Sequence, residues 1–502
     1  MKAFRILGIT LLVLLVSYGM ANAQEPFQAG AWTAVTPGNV PLSAAGHMLL
    51  LTDGSVLMID NNCAATGKWW RLVPDSTGSY IHGSWLAGGT LPSGYDPLYF
   101  ASQVLPSGQV VIVGGEYNAC NPVWTNLGAI YNPHTNKWAS FPAPTGWTTV
   151  GDAQSVILPT GKFMLANCCT TDEAILTSVS PATWTPTGTG KFDINDEEGW
   201  TLLPNGNLLT VDAYVGSYNA TGTNSEIYNT KTGTWSSAGS TVEQLWDSAA
   251  ACGGSGVASY EVGPAVLRPN GTVFATGANA CAAGHTAVYN TKTSSWTAGP
   301  NFSGNLDIAD GPAALLPDGN VLVDTSPKIY KTGTKFFEWD GTTLHSVPAP
   351  PNAAVDSSYY GSMLVLPTGQ VLYTDFSTDV EVYTPSGAPC PACVPAITSV
   401  NSSLTHGSVN NVIKGTLFNG VSQGASYGDD AQQATNFPLV RITDSAGNVV
   451  YCRTHNWPGG LATGSKIVGT QFDVPASIAL GPATLEVVAN GISSAPVSIT
   501  II

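Results

Sequence analysis

The chain has 502 residues and a formal net charge of −16 at pH 7, and only 10% of its residues are charged. This length suffices for two or three domains. The negative charge repels phosphate backbones, which excludes nucleic acid as an expected partner. The 55 Gly and 34 Pro residues are typical of short strands joined by many turns.

The segment 1–23 resembles a targeting segment rather than part of a fold. Lys2 and Arg5 precede an apolar run over residues 6–15, and Ala21 and Ala23 form a small-residue cleavage pattern. This arrangement predicts a secretory signal peptide. The run is too short to span a membrane, and no later stretch reaches that length. We therefore expect a secreted protein, extracellular or periplasmic, that does not insert into a membrane.

One sequence pattern recurs along the rest of the chain. In LLPDGNVLV, residues 315–323, a Pro-Asp-Gly turn separates two apolar runs, which predicts a β-hairpin. Seven such hairpins occur at a roughly regular spacing. Their turn glycines are Gly54, Gly108, Gly161, Gly206, Gly271, Gly319 and Gly369. Hairpins at this kind of period are typical of propeller blades, so we predict a seven-bladed β-propeller over residues 24–386.

The strands that follow each hairpin indicate how the ring would close. Most repeats continue with a third strand and a fourth strand centred on Trp, as with Tyr131 and Trp138 in YNPHTNKW. The seventh repeat stops after three strands, whereas Trp32 lies in a strand that no hairpin precedes. Because open sheet edges invite aggregation, we expect the Trp32 strand to complete the last blade.

The pattern changes after a Pro-rich linker, GAPCPACVPA, at residues 387–396. Seven short strands follow over residues 397–502, which predicts an immunoglobulin-like β-sandwich. The long polar loop at residues 420–436 interrupts them, and we expect it to pack on a neighbouring part of the protein.

Nine cysteines follow the predicted signal peptide, so at least one has no intramolecular partner. In an oxidising compartment we expect loop-stapling disulfides. The cysteines in loops after second strands are Cys63, Cys120, Cys168, Cys169 and Cys281, and Cys252 falls near Cys281. We expect one of Cys168 and Cys169 to bond outward to another loop. Cys390 and Cys393 predict a local structural disulfide in the linker.

Two motif sets resemble known families. The Tyr-Asn-Pro/Thr-x-Thr-x-x-Trp tails, together with the Gly-turn hairpins, resemble kelch repeats. The segments GVSQGASYGDDAQQATNFPLVRIT, YCRTHN and VVANGISSAPVSI are similar to the C-terminal domain of galactose-oxidase-like proteins. The resemblance covers nearly the whole mature chain, and it implies a kelch propeller followed by such a domain.

The family's enzymes are copper radical oxidases, whose site takes two Tyr, two His and a Cys cross-linked to one Tyr. Tyr359 matches the axial Tyr, but Tyr360 replaces the adjacent His. The resemblance places Tyr99 near the cross-linked Cys position and Asp152 at the cross-linked Tyr position. His455 would match the second His. A copper site that keeps one imidazole of two binds poorly, so we expect no copper, with Tyr359 and His455 as the metal-ligand candidates that remain.

A candidate site follows from the alignment of the repeats. Propellers bind ligands at one mouth of the axial channel, where the first strands begin. The aligned positions are Ala45, Tyr99, Asp152, Glu197, Val262, Asp310 and Tyr360, with Glu198, Glu261 and Tyr359 beside them. This acidic ring predicts a site for Ca²⁺, or for sugar hydroxyls held by carboxylates with Tyr stacking. Alternatively, the acids bond backbone amides or face water.

We therefore expect an exported, monomeric kelch-propeller binding protein for carbohydrate or a surface protein. The alternative is an extracellular carbohydrate-active enzyme, an oxidase or hydrolase with a non-standard site at the mouth. Two of the mouth carboxylates would then act as general acid and base. A third interpretation is a structural or interaction module of an envelope or matrix.

Overall fold

The computed structural model describes residues 27–36, 40–64, 66–214, 222–247, 259–279, 283–429 and 432–502. These residues form strands and short 3₁₀ helices, and no α-helix occurs among them. The predicted all-β class is therefore confirmed. The predicted signal peptide, Cys252 and Cys281 lie outside the described residues. In the ranges given above, we find no helix of the length and apolarity that crossing a membrane requires.

Residues 31–384 form seven successive antiparallel sheets, numbered here in chain order. Sheet 1 comprises Ala45–Leu50, Val56–Asp60, Lys68–Val73 and Ser84–Thr90. Sheet 2 comprises Ala101–Val104, Val110–Val113, Gly128–Asn132 and Lys137–Ser140. Sheet 3 comprises Ser155–Ile157, Phe163–Ala166, Glu173–Val179 and Ala182–Thr187. Sheet 4 comprises Thr201–Leu202, Leu208–Val211, Ser225–Asn229 and Thr234–Ser237.

The remaining sheets continue the same pattern. Sheet 5 comprises Val262–Leu267, Thr272–Gly277, Thr286–Asn290 and Ser295–Ala298. Sheet 6 comprises Ala313–Leu315, Val321–Pro327, Lys335–Trp339 and Leu344–Val347, and Leu306–Asp307 pairs with its second strand. Sheet 7 comprises Ser362–Val365, Val371–Thr374, Glu381–Thr384 and Ala31–Ala34. Pro97–Leu98, Tyr117–Asn118 and Asn121–Pro122 form a small separate sheet. The 3₁₀ helices are Pro351–Ala354, Ser358–Tyr360 and Pro391–Cys393.

The first strands of neighbouring sheets lie side by side, and sheet 7 lies next to sheet 1. The sheets are therefore arranged around one axis in a propeller-like ring. Their apolar first and second strands are buried and pack on the sheets to either side. We call the side of the ring where the first strands begin the mouth, and the side with the hairpin turns the turn side.

The repeated Tyr and Trp residues hold the outer strands. Tyr131 lies directly opposite Trp138 on adjacent strands, with ring centroids 5.2 Å apart. The same cross-strand pair recurs in sheet 4 at 5.3 Å and in sheet 5 at 5.1 Å. Such pairs contribute roughly 0.5–1.5 kcal/mol each beyond the area they bury. Trp138 also packs on Trp69 of sheet 1, so the motif connects adjacent sheets.

The strand Ala31–Ala34 joins the two ends of the ring. It pairs antiparallel with Glu381–Thr384 and becomes the fourth strand of sheet 7. Trp32 packs against three aromatic rings, those of Phe336, Tyr373 and Tyr383, at centroid distances of 4.9 to 5.5 Å. The Trp32 indole nitrogen also donates to the Pro348 carbonyl at 2.7 Å.

The C-terminal region is a separate curled β-structure with its own apolar core. Its main strands are Ala396–Ser399, Asn411–Thr416, Leu439–Asp444, Val449–His455, Val468–Asp473, Gly481–Ala489 and Val497–Ile501. Ser403–Leu404, Ala425–Ser426 and Ile492–Ser493 are short. Val449–His455 pairs with one strand through its first half and with another through its second half, so it passes between two sheets. This region lies against the turn side, where the Thr454 amide donates to the Thr52 carbonyl.

The axial segment, residues 420–429 and 432–436, extends from this region into the ring. Gln423 accepts a hydrogen bond from the Leu202 amide at 2.7 Å. Ala425–Ser426 pairs with the first strand of sheet 6. Gln432 accepts from Ser155 at 2.8 Å. These contacts with three different sheets place the segment along the axis of the ring, between the first strands.

The described cysteines form three disulfides, which confirms the expected stapling. Cys63 bonds Cys120 between sheets 1 and 2, and Cys390 bonds Cys393 in the linker. The expected outward bond from the vicinal pair is wrong, because Cys168 and Cys169 bond each other. Cys168 is fully buried, and its backbone amide donates to the Val150 carbonyl at 3.0 Å. Cys452 is free and buried.

Replacing Trp32 with Ala tests the closing strand. Trp32→Ala should lower the free energy of unfolding by roughly 2–4 kcal/mol in urea titrations, since it removes the ring contacts and one hydrogen bond. Thr33→Ala, on the exposed face of the same strand, should change stability by less than about 0.5 kcal/mol. Equal stability of Trp32→Ala and the parent protein would contradict this account of closure.

Candidate functional site

Three of the aligned first-strand positions share an unusual backbone conformation. Tyr99, Glu197 and Asp310 have positive φ angles of 49°, 59° and 55°. Non-glycine residues rarely adopt this conformation, and where they do it is concentrated at functional sites. The recurrence shows that these positions of sheets 2, 4 and 6 are structurally equivalent.

Five carboxylates converge at the mouth, and we call them the mouth cluster. The ligand oxygens of Asp152, Glu197 and Asp429 all lie within 4.8 Å of one another, and so do those of Glu197, Glu261 and Asp310. Glu197 belongs to both groups. Four members precede the first strands of sheets 3 to 6, and Asp429 comes from the axial segment. Clustered carboxylate oxygens are the donor set that Ca²⁺ prefers.

The crowding of these charges changes their protonation. Burial, followed by the negative charges of Glu261 and Asp429, raises the pKa of Glu197 well above its ordinary value. Burial also raises the pKa of the neighbouring Asp196 to about 6. A cation bound at the cluster would oppose this shift by favouring the deprotonated form of Glu197.

An aromatic group borders the mouth cluster on the side of sheets 1, 2 and 7. It consists of Tyr99, Tyr359, Tyr360, Phe376 and Tyr427, which line one cavity. Tyr99 stacks on Tyr427 with ring centroids 6.1 Å apart. The hydroxyls of both donate to the Tyr359 carbonyl, at 3.3 and 2.8 Å. Tyr360 packs edge-on against Phe376 at 6.0 Å.

Tyr330 joins the aromatic group to the carboxylates. Its hydroxyl donates to Glu261 Oε1 at 2.6 Å, and its ring packs edge-on against Tyr359 at 5.4 Å. Tyr330 remains 38% exposed. The mouth therefore presents carboxylate oxygens and tyrosine rings to the same space.

His47 lies beneath the aromatic group and is fully hydrogen-bonded. Its Nε2 is 2.8 Å from the Ser102 hydroxyl, and its Nδ1 is 2.9 Å from the Gln433 amide nitrogen. Burial lowers the pKa of His47 to about 3, so the ring is neutral. Both ring nitrogens are occupied, which leaves neither available to a metal.

Glu198 does not belong to the mouth, contrary to the expectation from the sequence. It is fully buried and accepts a hydrogen bond from Lys191 Nζ at 3.0 Å. Lys191 also bonds Asp193 at 2.7 Å and Glu226 at 2.8 Å, and Asp212 lies 3.9 Å away. Glu198 therefore points into the interior and belongs to a buried cluster around Lys191.

The prediction that His455 lies at the mouth is also wrong. The next residue, Asn456, donates from its backbone amide to Pro106, on the turn side of sheet 2. Tyr99, at the mouth, lies seven residues before Pro106, which is about 20 Å along an extended strand. The turn side at Pro106 is therefore far from the mouth. His455 instead lies 3.1 Å from the Asp473 carboxylate within the C-terminal region.

Sequence reasoning missed four residues of the mouth. Tyr427 and Asp429 come from the axial segment, whose GASYGDD sequence carried an acidic and aromatic signal within a long polar loop. Tyr330 and Phe376 lie in loops that follow second strands. Nothing in the spacing of these two residues distinguished them from other loop aromatics.

No protein-family model matches the sequence, and no curated protein matches it. Among solved structures, a fungal alcohol oxidase of the AA5 family in complex with copper is similar over 94% of this chain and 99% of that chain, with a TM-score of 0.51 and 13% identity. A streptogramin B lyase matches 71% of this chain and 97% of that chain, with a TM-score of 0.45 and 10% identity. The first similarity supports a propeller-like, galactose-oxidase-like fold.

The residues at the mouth do not fit the copper radical site implied by the resemblance. That site takes two His, whereas the aligned position next to Tyr359 is Tyr360, and the axial segment contributes Tyr427 and Asp429. His47 has both nitrogens hydrogen-bonded, and His455 lies on the turn side. The donor set at the mouth is oxygen, which suits a hard cation rather than copper.

The raised pKa of Glu197 predicts a pH-dependent stability. Its carboxyl binds a proton more tightly in the folded than in the unfolded chain, where the ordinary pKa is 4.5. The folded state should therefore lose stability as pH rises above that value. In chelator, Glu197→Gln should unfold at a higher temperature than the parent at about pH 8 and lose less stability between about pH 5 and pH 8. Identical stability-versus-pH profiles for Glu197→Gln and the parent would refute this prediction. Glu486→Gln, which removes a carboxylate from the C-terminal region, is the matched control.

Lys191 provides a second test, because it compensates four buried acids. Lys191→Met should cost roughly 3–5 kcal/mol of stability at neutral pH, since it leaves those carboxylates without a cation. The cost should shrink as the pH is lowered and the acids take up protons. Chemical denaturation at several pH values measures this. Lys331 is exposed, so Lys331→Met serves as the control and should leave stability unchanged. An equally small effect of Lys191→Met would show that Lys191 does not compensate the charge of the four buried carboxylates.

Proposed function

We propose that this protein is an exported, monomeric binding protein for neutral carbohydrate, with its ligand site at the mouth. In this proposal residues 24–386 are a seven-bladed kelch propeller closed by the Trp32 strand, and residues 397–502 are an immunoglobulin-like domain. The signal-peptide pattern and the three disulfides support export.

The juxtaposition of five carboxylates with the exposed Tyr330 and the half-buried Tyr359 carries the proposal. Sugars present hydroxyls, which carboxylates and Ca²⁺ bind, and apolar C–H faces, which pack on aromatic rings. The negative charge of the mouth disfavours anionic ligands such as uronates. A Ca²⁺ ion at the mouth cluster would lower the repulsion around Glu197 and supply coordination positions for sugar hydroxyls.

The geometry favours binding over glycoside hydrolysis. Glycosidases hold two carboxyl groups about 5–5.5 Å apart, or about 6.5–9.5 Å apart, on either side of a scissile bond. Within each of the two mouth groups, one oxygen from each of three carboxylates lies within 4.8 Å of the others, and the two groups share Glu197. This arrangement directs several oxygens to one point, which suits a bound cation better than an acid and a base flanking a sugar.

Titration of Ca²⁺ tests the cation component. Isothermal titration calorimetry on chelator-treated protein should show saturable Ca²⁺ binding that Glu197→Gln weakens by at least about tenfold, because Glu197 belongs to both groups of oxygens. Glu486→Gln removes the same charge from the C-terminal region and should leave Ca²⁺ binding intact. Equal Ca²⁺ affinity in all three proteins would remove the cation from the proposal.

A glycan array with and without Ca²⁺ tests the ligand. Neutral glycans should bind, uronate glycans should not, and Tyr359→Ala should lose at least about tenfold in affinity because the stacking ring is gone. Tyr359→Phe retains the ring and should bind like the parent. If no neutral glycan binds, or if Tyr359→Ala binds unchanged, the mouth is not a carbohydrate site. Peroxide release or glycan cleavage with these ligands would instead support the enzyme alternative.

A further inference from the structure

A second candidate site lies on the outer side of the ring, between sheets 2 and 3. A groove of about 510 Å³ is bordered by the loop at residues 142–147 and by the outermost strand of sheet 3, Ala182–Thr187. This volume falls within the range of about 300–1,000 Å³ that is typical of small-molecule sites. None of the residues that line the groove belongs to the mouth cluster or the aromatic group.

Two half-buried tryptophans line the groove and are held in place by their surroundings. The Trp184 indole nitrogen donates to the Pro142 carbonyl at 3.1 Å, and the ring packs against Phe141 and Phe163 at 6.1 and 5.8 Å. The Trp147 side chain packs against the apolar core of sheets 2 to 4, and its backbone carbonyl accepts a hydrogen bond from the Asn126 side chain at 2.8 Å. Neither ring needs to be ordered by a ligand, which lowers the entropic cost of binding.

Polar groups accompany the two indoles. The Asp172 carboxylate and the Thr183 side chain are exposed along the groove. Glu173 is 2% exposed and also lines the groove; its Oε1 accepts from the Trp235 indole at 2.7 Å, whereas its Oε2 has no hydrogen-bond partner among the described residues. Burial raises the pKa of Glu173 to about 8, so this carboxyl is largely protonated at neutral pH.

The lining also limits the classes of ligand. No Lys or Arg occurs among the described residues that line the groove, so an anionic ligand would find no counter-charge. A peptide could add to the exposed edge of sheet 3, but Pro186 interrupts that edge by removing a backbone N–H. A neutral ligand with an apolar face and several hydroxyls fits both the indoles and the polar groups.

We propose that this groove binds neutral pyranose units of an oligosaccharide, with the sugar faces against Trp147 and Trp184 and the hydroxyls toward Asp172. The groove extends carbohydrate recognition beyond the mouth, and it does not depend on the mouth binding a ligand. Ca²⁺ has no role in the groove, because Asp172 is the one exposed carboxylate among the described residues that line it.

Calorimetric titration of the full chain in chelator tests the groove. The probes are the neutral hexasaccharides cellohexaose, xylohexaose and mannohexaose, with octaproline as a peptide probe. At least one hexasaccharide should bind, and both Trp184→Ala and Trp147→Ala should weaken it by at least about tenfold. Trp85→Ala is the matched control, since Trp85 lies on the outermost strand of sheet 1 and does not line the groove.

Two further variants separate the groove from folding defects and from the mouth. Trp184→Phe retains an aromatic ring and the fold, and it should bind at least threefold more tightly than Trp184→Ala at equal melting temperature. Glu197→Gln impairs the mouth and should retain hexasaccharide binding at the groove. The proposal is overturned if no hexasaccharide binds, if binding survives in both Trp→Ala variants, if Glu197→Gln abolishes it, or if octaproline alone binds.

Discussion

The pairing of Ala31–Ala34 with Glu381–Thr384 is the contact on which the ring depends. Each sheet buries apolar side chains against the sheets before and after it, so each depends on both neighbours to cover its apolar faces. The first and last sheets obtain their neighbours only when the chain returns on itself. Hydrogen bonds between the first and the last strand of the ring provide that return, and Trp32 adds the aromatic packing that fixes their register.

Closure also sets the geometry of the mouth. Asp152, Glu197 and Asp310 lie far apart along the chain, and they converge because each precedes a first strand that lies beside the axis. The same arrangement leaves an axial space, which the segment from the C-terminal region occupies. Asp429 and Tyr427 therefore reach the mouth from inside the ring, and the site contains residues of both regions.

Local pattern was sufficient for the parts of this structure that repeat. The hairpin turns and the Tyr–Trp tails predicted where strands lie, and the alignment of strand starts, with the residues beside them, identified four members of the mouth cluster. The sequence pattern failed where the position of a residue depends on the direction of its side chain or on the course of the chain between distant segments. Glu198 is one residue from Glu197 but is buried in the interior, and only the partner Lys191 shows why an acid can be buried there. His455 was assigned by resemblance of a short motif, whereas the path of the axial segment decides which residues reach the mouth.

The two acidic clusters show how the same residue type can serve structure or ligand binding. Around Lys191, four carboxylates share an internal cation, and the cluster is sealed from solvent. At the mouth, the pKa of Glu197 is raised by burial and by neighbouring carboxylates, and a partly exposed tyrosine borders the group. A buried cluster that contains its own cation gains nothing from a ligand, whereas repulsion among like charges at a surface is reduced by any cation that binds there. The fold shared with a copper oxidase at 13% identity does not decide between these roles, because function resides in the site residues rather than in the scaffold.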